Sequence, residues 1–170
     1  MKYKRWDLIG IVLILGFSVF LYFANDFLKE HQFLKLITPN NDSLWEYLKI
    51  TFYSMVIFTG LEYLILGSEH QNFAFTKAFS TILALFLVAT LFYGYTSFMD
   101  QNVILNLLVY AVAIVIAQLA SYVIFKQKIY VSGFNFLGIV LFMVGIFLFS
   151  SYTYEPGTAK LFQEIIELKL

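Results

Sequence analysis

Five long stretches almost free of charge dominate this sequence. They run over 8–24, 50–67, 78–99, 103–125 and 134–154. A helix crossing about 30 Å of hydrocarbon needs roughly 20 apolar residues, so each stretch is the length of a membrane span. They are continuous runs, not the alternating ten-residue segments of an outer-membrane barrel. Composition agrees: 61% of residues are hydrophobic, 20% aromatic and 13% charged. A chain of 170 residues could not hide that much apolar surface from water in a soluble fold. Disorder is excluded by the same numbers. The expected fold is therefore an all-α integral membrane protein, a single domain over 1–170 built as a five-transmembrane-helix bundle.

Charge says what the chain does not do. It carries 11 basic and 11 acidic residues, with no basic stripe for nucleic acid. It has no cysteine, so disulfides, thiol catalysis and zinc-thiolate sites are out. His31 and His70 fall on opposite sides of the expected membrane and cannot share a metal. There is no metalloprotease, phosphate-loop or nucleophile-elbow motif. No metal and no cofactor are expected. The wealth of Phe, Ile, Leu, Asn, Lys and Tyr fits an AT-rich bacterial genome.

Sidedness follows from the basic residues near the span ends. Lys2, Lys4 and Arg5 precede span 1; Lys77 lies between spans 2 and 3, and Lys126 and Lys128 between spans 4 and 5. The tight 100–102 connection has none. This predicts a multi-pass protein of the cell membrane, N-terminus cytoplasmic and C-terminus external. The first span is not followed by a small-x-small cleavage site, so it stays as a helix.

Outside the spans, residues 27–37 carry apolar side chains at 27, 28, 33, 34, 36 and 37, which predicts an interfacial helix between spans 1 and 2. Pro39-Asn40-Asn41 ends it. Ser43-Leu44-Trp45-Glu46 then reads as a capping box, starting the second helix at Leu44, with Trp45 and Tyr47 at headgroup level. Residues 158–170 alternate apolar and charged positions as an amphipathic C-terminal helix does.

The run Pro39-Asn40-Asn41-Asp42-Ser43-Leu44-Trp45-Glu46-Tyr47-Leu48-Lys49 resembles the signature Pro-x-Asn-Glu-Ser-x-Trp-Glu-His-x-Lys of a bacterial membrane-protein family, DUF6512. Asn72-Phe73, Phe92-Tyr93-Gly94-Tyr95-Thr96, Ala117-Gln118-Leu119-Ala120-Ser121-Tyr122, and Tyr152-Thr153-Tyr154-Glu155-Pro156 with Leu161-Phe162 are similar to it as well. Tyr47 stands where that pattern has histidine, and Gly157 where it has a second proline. The resemblance implies five spans and no particular activity.

Two groups of side chains are candidate sites. Glu62 is the one ionisable residue well inside an expected span, and Gln118 and Ser121 in span 4 sit at a similar depth as its natural partners. A proton or cation relay is one reading. A carboxyl that reaches the interface, or bonds within the bundle, is the plainer one. Span 4 gathers Asn106, Tyr110, Gln118, Ser121 and Tyr122 on one side, for which interhelical hydrogen bonding is sufficient reason. The second group lies at the external ends of the helices, where Asp26, Asn41, Glu46, Tyr93, Tyr95 and Glu155 would line a polar, aromatic and acidic pocket. Helix caps and an interfacial aromatic belt explain the same residues. Gly138 and Gly145, on one face of span 5, are expected to permit close packing.

The function expected is binding of a small molecule or lipid in that outward-facing pocket, as a transport subunit or in lipid modification. The alternative is a non-catalytic accessory or assembly protein. Expected partners are membrane lipids, a small molecule, and a second copy or another membrane protein.

Overall fold

The computed structural model describes residues 2–27, 34–66, 72–100, 102–127 and 133–163. Among them the ordered elements are helical: α1 (Lys2–Phe27), α2 (Leu44–Leu66), α3 (Phe73–Thr96), α4 (Val103–Gln127) and α5 (Phe134–Tyr154), with single 3-10 turns at Leu34–Leu36 and Lys160–Phe162. All five helices are long and apolar enough to cross a membrane. The chain is an all-helical, multi-pass membrane protein.

The helices extend past their apolar windows, and this changes the chemistry. α1 begins at Lys2, which places Asp7 inside it, and α3 begins at Phe73, a turn before Lys77. Lys77 is therefore no loop residue: it is fully buried. Polar side chains enter the helical part because neighbouring helices satisfy them there.

α1 packs on α2 and α4, α2 on α3, and α3 on both α4 and α5. Two apolar clusters fill the interior. One holds Ile14, Met55, Phe58, Ala84, Ile114 and Ala117; the other lies toward the Glu46 end, around Leu48, Phe52, Val88, Phe92 and Phe149. α5 sits at the periphery, with Phe136, Met143 and Phe147 exposed as residues facing lipid tails would be. The glycine expectation holds. A Cβ on Gly138 would lie 2.3 Å from the Phe75 backbone nitrogen, and one on Gly145 would lie 2.5 Å from the Phe52 ring. Glycine lets α5 approach α3 at backbone contact.

Half of the capping box forms. Ser43 Oγ accepts from the Glu46 amide at 3.4 Å, but the Glu46 carboxylate accepts from the Asn40 amide at 3.1 Å, and Asn41 Oδ1 takes the Ser43 amide. Asn41 offers that amide a nearer acceptor than Glu46 does, so the carboxylate turns to the preceding loop. Trp45 is half-buried among aromatic rings. Its ring packs on Phe149, Tyr152 and Phe162 at 4.7, 5.2 and 4.9 Å, and its Nε1 is buried. Of the expected interfacial helix the described part is the Leu34–Leu36 turn; 28–33 lie outside the described residues. The expected C-terminal helix is described to Gln163, and there it is a 3-10 turn at Lys160–Phe162, not an α-helix from 158.

Candidate functional site

The Asp7 end of the bundle holds three charged groups from three helices. Lys77 Nζ on α3 lies 2.6 Å from Glu62 Oε2 on α2 and 3.2 Å from Asp7 Oδ1 on α1. Its ammonium also stands 5.6 Å from the Phe58 ring centroid and 5.2 Å from that of Phe125. Glu62 and Lys77 are fully buried and Asp7 is 4% exposed. Two carboxylates and two aromatic faces thus replace the water around one ammonium.

Glu62 points into the bundle, as its sequence position suggested, but its partner is Lys77. Gln118 and Ser121, expected as partners, are buried at the same end and make no hydrogen bond to it. The geometry still brings Ser121 close to the charged group. Ser80 Oγ on α3 donates to the Ala117 carbonyl on α4 at 2.7 Å. One turn further toward the Asp7 end on both antiparallel helices, Lys77 faces Ser121. Phe125, one turn beyond Ser121 on the same face, is the ring beside Lys77. Gln118 lies a turn deeper, with Nε2 3.9 Å from Met55 Sδ.

Several buried oxygens here have no hydrogen-bond partner among the described residues: Glu62 Oε1, Thr76 Oγ1, Gln118 Oε1 and Ser121 Oγ. Buried polar atoms are nearly always paired, so orphans at one end of a bundle ask for donors that the protein does not supply. Three of the four are on residues facing the ion pair or beside it in sequence. Next to them, a cleft between α1 and α4 is lined by Asp7, Leu8, Ile11, Gln118, Leu119 and Tyr122.

Halfway along the bundle is a hydroxyl group of three helices. Ser18 Oγ donates to the Ile14 carbonyl or to Ser54 Oγ, 2.7 and 2.8 Å away, and is hydrogen-bonded to the Tyr110 hydroxyl. Toward the far end of α4, the Tyr95 hydroxyl donates to Asn106 Oδ1.

A second buried lysine lies at the Glu46 end, at a position that no sequence pattern singles out. Lys49 is fully buried, 2.5 Å from Glu46 Oε2, and donates to the Lys35 carbonyl at 3.1 Å and to Thr153 Oγ1 at 3.3 Å. It ties α2 to α5 and to the turn before α2.

The six residues expected to line an outward pocket have divergent settings. Glu46 is 5% exposed and committed to Lys49 and the Asn40 amide. Asn41 caps Ser43. Tyr95 bonds Asn106. Tyr93 is 48% exposed and Glu155 is exposed. The side chain of Asp26 lies outside the described residues. Among the described residues, no hydrogen bond or ion pair links Glu46, Tyr93, Tyr95 and Glu155 to one another.

Lys77 and Asp7 were missed because a hydropathy window ends at the first charge. The available signal was the apolar run Phe73-Ala74-Phe75 ahead of Lys77, which extends the helix back by a turn.

No curated protein and no solved structure matches the chain. A family model does, and it covers residues 1–170. The chain belongs to the family of unknown function DUF6512.

Proposed function

We propose that this chain is a transport protein of the cell membrane, or the membrane subunit of one, in which the Asp7–Lys77–Glu62 group gains and loses a proton. The observation that carries the reading is Lys77, fully buried between carboxylates from two other helices, with an orphan carboxylate oxygen on Glu62. Ionisable groups inside a membrane are costly and mark ion and proton pathways. An apolar trio of similar volume would serve stability as well or better, since desolvation offsets most of what a buried ion pair gains.

The proposed orientation keeps Lys2, Lys4, Arg5, Lys126 and Lys128 cytoplasmic and the C-terminus external, now without Lys77 as a marker. The proton site then lies in the cytoplasmic half. At the external end, exposed Tyr93, Tyr152, Tyr154 and Glu155 offer a rim to a small molecule or lipid headgroup. Five spans are few for a solitary secondary transporter, and a second copy would complete it.

The test is proton flux. In proteoliposomes enclosing a pH-sensitive dye, under an imposed potassium diffusion potential, wild type should acidify or alkalinise the lumen faster than empty vesicles. Glu62→Gln should fold and lose that flux. Wild-type vesicles indistinguishable from empty ones would refute the reading.

A further inference from the structure

Resting on the reading of the Lys77 group as a proton site, we propose that Asp7 is its entry carboxylate: protons reach Glu62 from the α1–α4 cleft through Asp7 and the Lys77 ammonium. The three groups are not equally placed. Glu62 and Lys77 are fully buried. Asp7 is 4% exposed and lines the cleft, beside Leu8, Leu119 and Tyr122. Leu8 and Leu119 are themselves 52% and 50% exposed, so the cleft has an open mouth next to the carboxylate. Asp7 also lies five residues after the start of α1, about 7.5 Å along the axis at 1.5 Å per residue.

Lys77 joins the carboxylate that the cleft reaches to the one it does not. Its Nζ donates to Asp7 Oδ1 at 3.2 Å and stands 2.6 Å from Glu62 Oε2. Both are direct contacts, short enough for a proton to pass without an intermediary. The Phe58 and Phe125 rings stand against the same ammonium. Among the described residues, the ionisable groups around it are therefore Asp7 from α1 and Glu62 from α2, with the Tyr122 phenol of α4 on the cleft wall. Lysine suits the middle place. A buried ammonium gives up a proton readily, whereas a guanidinium stays charged.

The transfer balances at each step. Asp7 takes a proton from the cleft and becomes a carboxylic acid. Lys77 passes one N–H proton to Glu62 Oε2 and takes the Asp7 proton on the same nitrogen. One O–H and one N–H bond break, and one of each forms. Asp7 is again a carboxylate, Lys77 again an ammonium, and Glu62 now holds the proton. Glu62 Oε1, which has no hydrogen-bond partner among the described residues, then has a use. Turning the carboxyl about its Cγ–Cδ bond carries the new O–H away from the ammonium and returns a bare oxygen to it. Release runs the same steps backwards.

The experiment follows the Glu62 carboxyl band by time-resolved infrared spectroscopy after laser release of caged protons, on the full chain in detergent. Wild type is compared with Asp7→Asn, Asp7→Glu and Leu119→Trp, and Glu62→Gln identifies the band. Asp7→Asn should reach the full band at acid equilibrium, but roughly ten-fold or more slowly. Asp7→Glu, which returns a carboxyl, should recover most of the rate. A wild-type rate in Asp7→Asn overturns the entry role while leaving the proton site intact. An Asp7→Glu variant as slow as Asp7→Asn overturns it too, because a carboxyl would then not be what was missing. If Asp7→Asn does not fold, Leu119→Trp decides, since it fills the cleft and alters no ionisable group. A several-fold slower rise of the band supports the entry, and a wild-type rise refutes it. Wild type with no titrating Glu62 band removes the proton site and the entry with it.

Discussion

Both ends of α2 bury a lysine against a glutamate, yet the two pairs are built differently. Glu46 and Lys49 are one turn apart on one helix, and their remaining valences are used: Lys49 donates to the Lys35 carbonyl and Thr153, and Glu46 accepts the Asn40 amide. Glu62 and Lys77 come from different helices, Asp7 joins from a third, and Glu62 Oε1 with Ser121 and Gln118 nearby lacks a donor. Burial is the same at both ends. Satisfaction is what differs. A saturated pair is a clasp holding a loop to two helices, whereas an unsaturated one keeps capacity for another proton or a water.

The largest expected effect comes from breaking the unsaturated pair. Lys77→Met strands Glu62 in the bundle and should cost about 3–5 kcal/mol of unfolding free energy, read by denaturant titration in mixed micelles. Adding Glu62→Leu and Asp7→Leu should recover most of it, because an apolar trio needs no desolvation. A triple variant as unstable as Lys77→Met would mean that the ionic group itself holds the helices together. Lys49→Met should cost about 3 kcal/mol, at the low end for a buried pair. Glu46 keeps the Asn40 amide and sits in the first turn of α2, where the helix dipole favours an anion. Its signature should be local: faster amide exchange at residues 34–43 and undiminished proton flux. Lost flux with an unchanged loop would invert the distinction between the two ends.

Gly138→Ala serves as a control that touches neither pair. Its new methyl would meet the α3 backbone at 2.3 Å, and strain of about 1–3 kcal/mol should follow. Thermal unfolding should shift while proton flux at a permissive temperature stays the same. The smallest effect is Ser43→Ala, about 1 kcal/mol from loss of the α2 cap. A loss above 3 kcal/mol would show that Ser43 does more than cap.

Five helices were legible because each is a long apolar run, and the start of α2 was legible because Ser43 and Glu46 stand three apart. Glu62 was legible as a charge in an apolar field. Its partner was not. Lys77 reads as a loop lysine in any window that stops at charge, and only the packing of α3 on α2 shows that the two charges cancel inside the bundle. Lys49 was hidden for a related reason: a lysine a turn beyond a capping box looks solvated until α5 and the 34–43 segment cover it. The outward pocket was inferred from residues that share a level in the membrane. Sharing a level does not fix facing, and Tyr93 turns outward while Glu46 turns in.

The central claim is that Glu62 changes protonation state inside the bundle. Infrared difference spectroscopy on reconstituted protein, taken across a pH titration in H2O and D2O, reads this directly. The predicted result is a protonated-carboxyl band that grows as pH falls, shifts in D2O, and disappears in Glu62→Gln while remaining in Glu46→Gln. A band that persists in Glu62→Gln, or no buried carboxyl titrating at all, would contradict it.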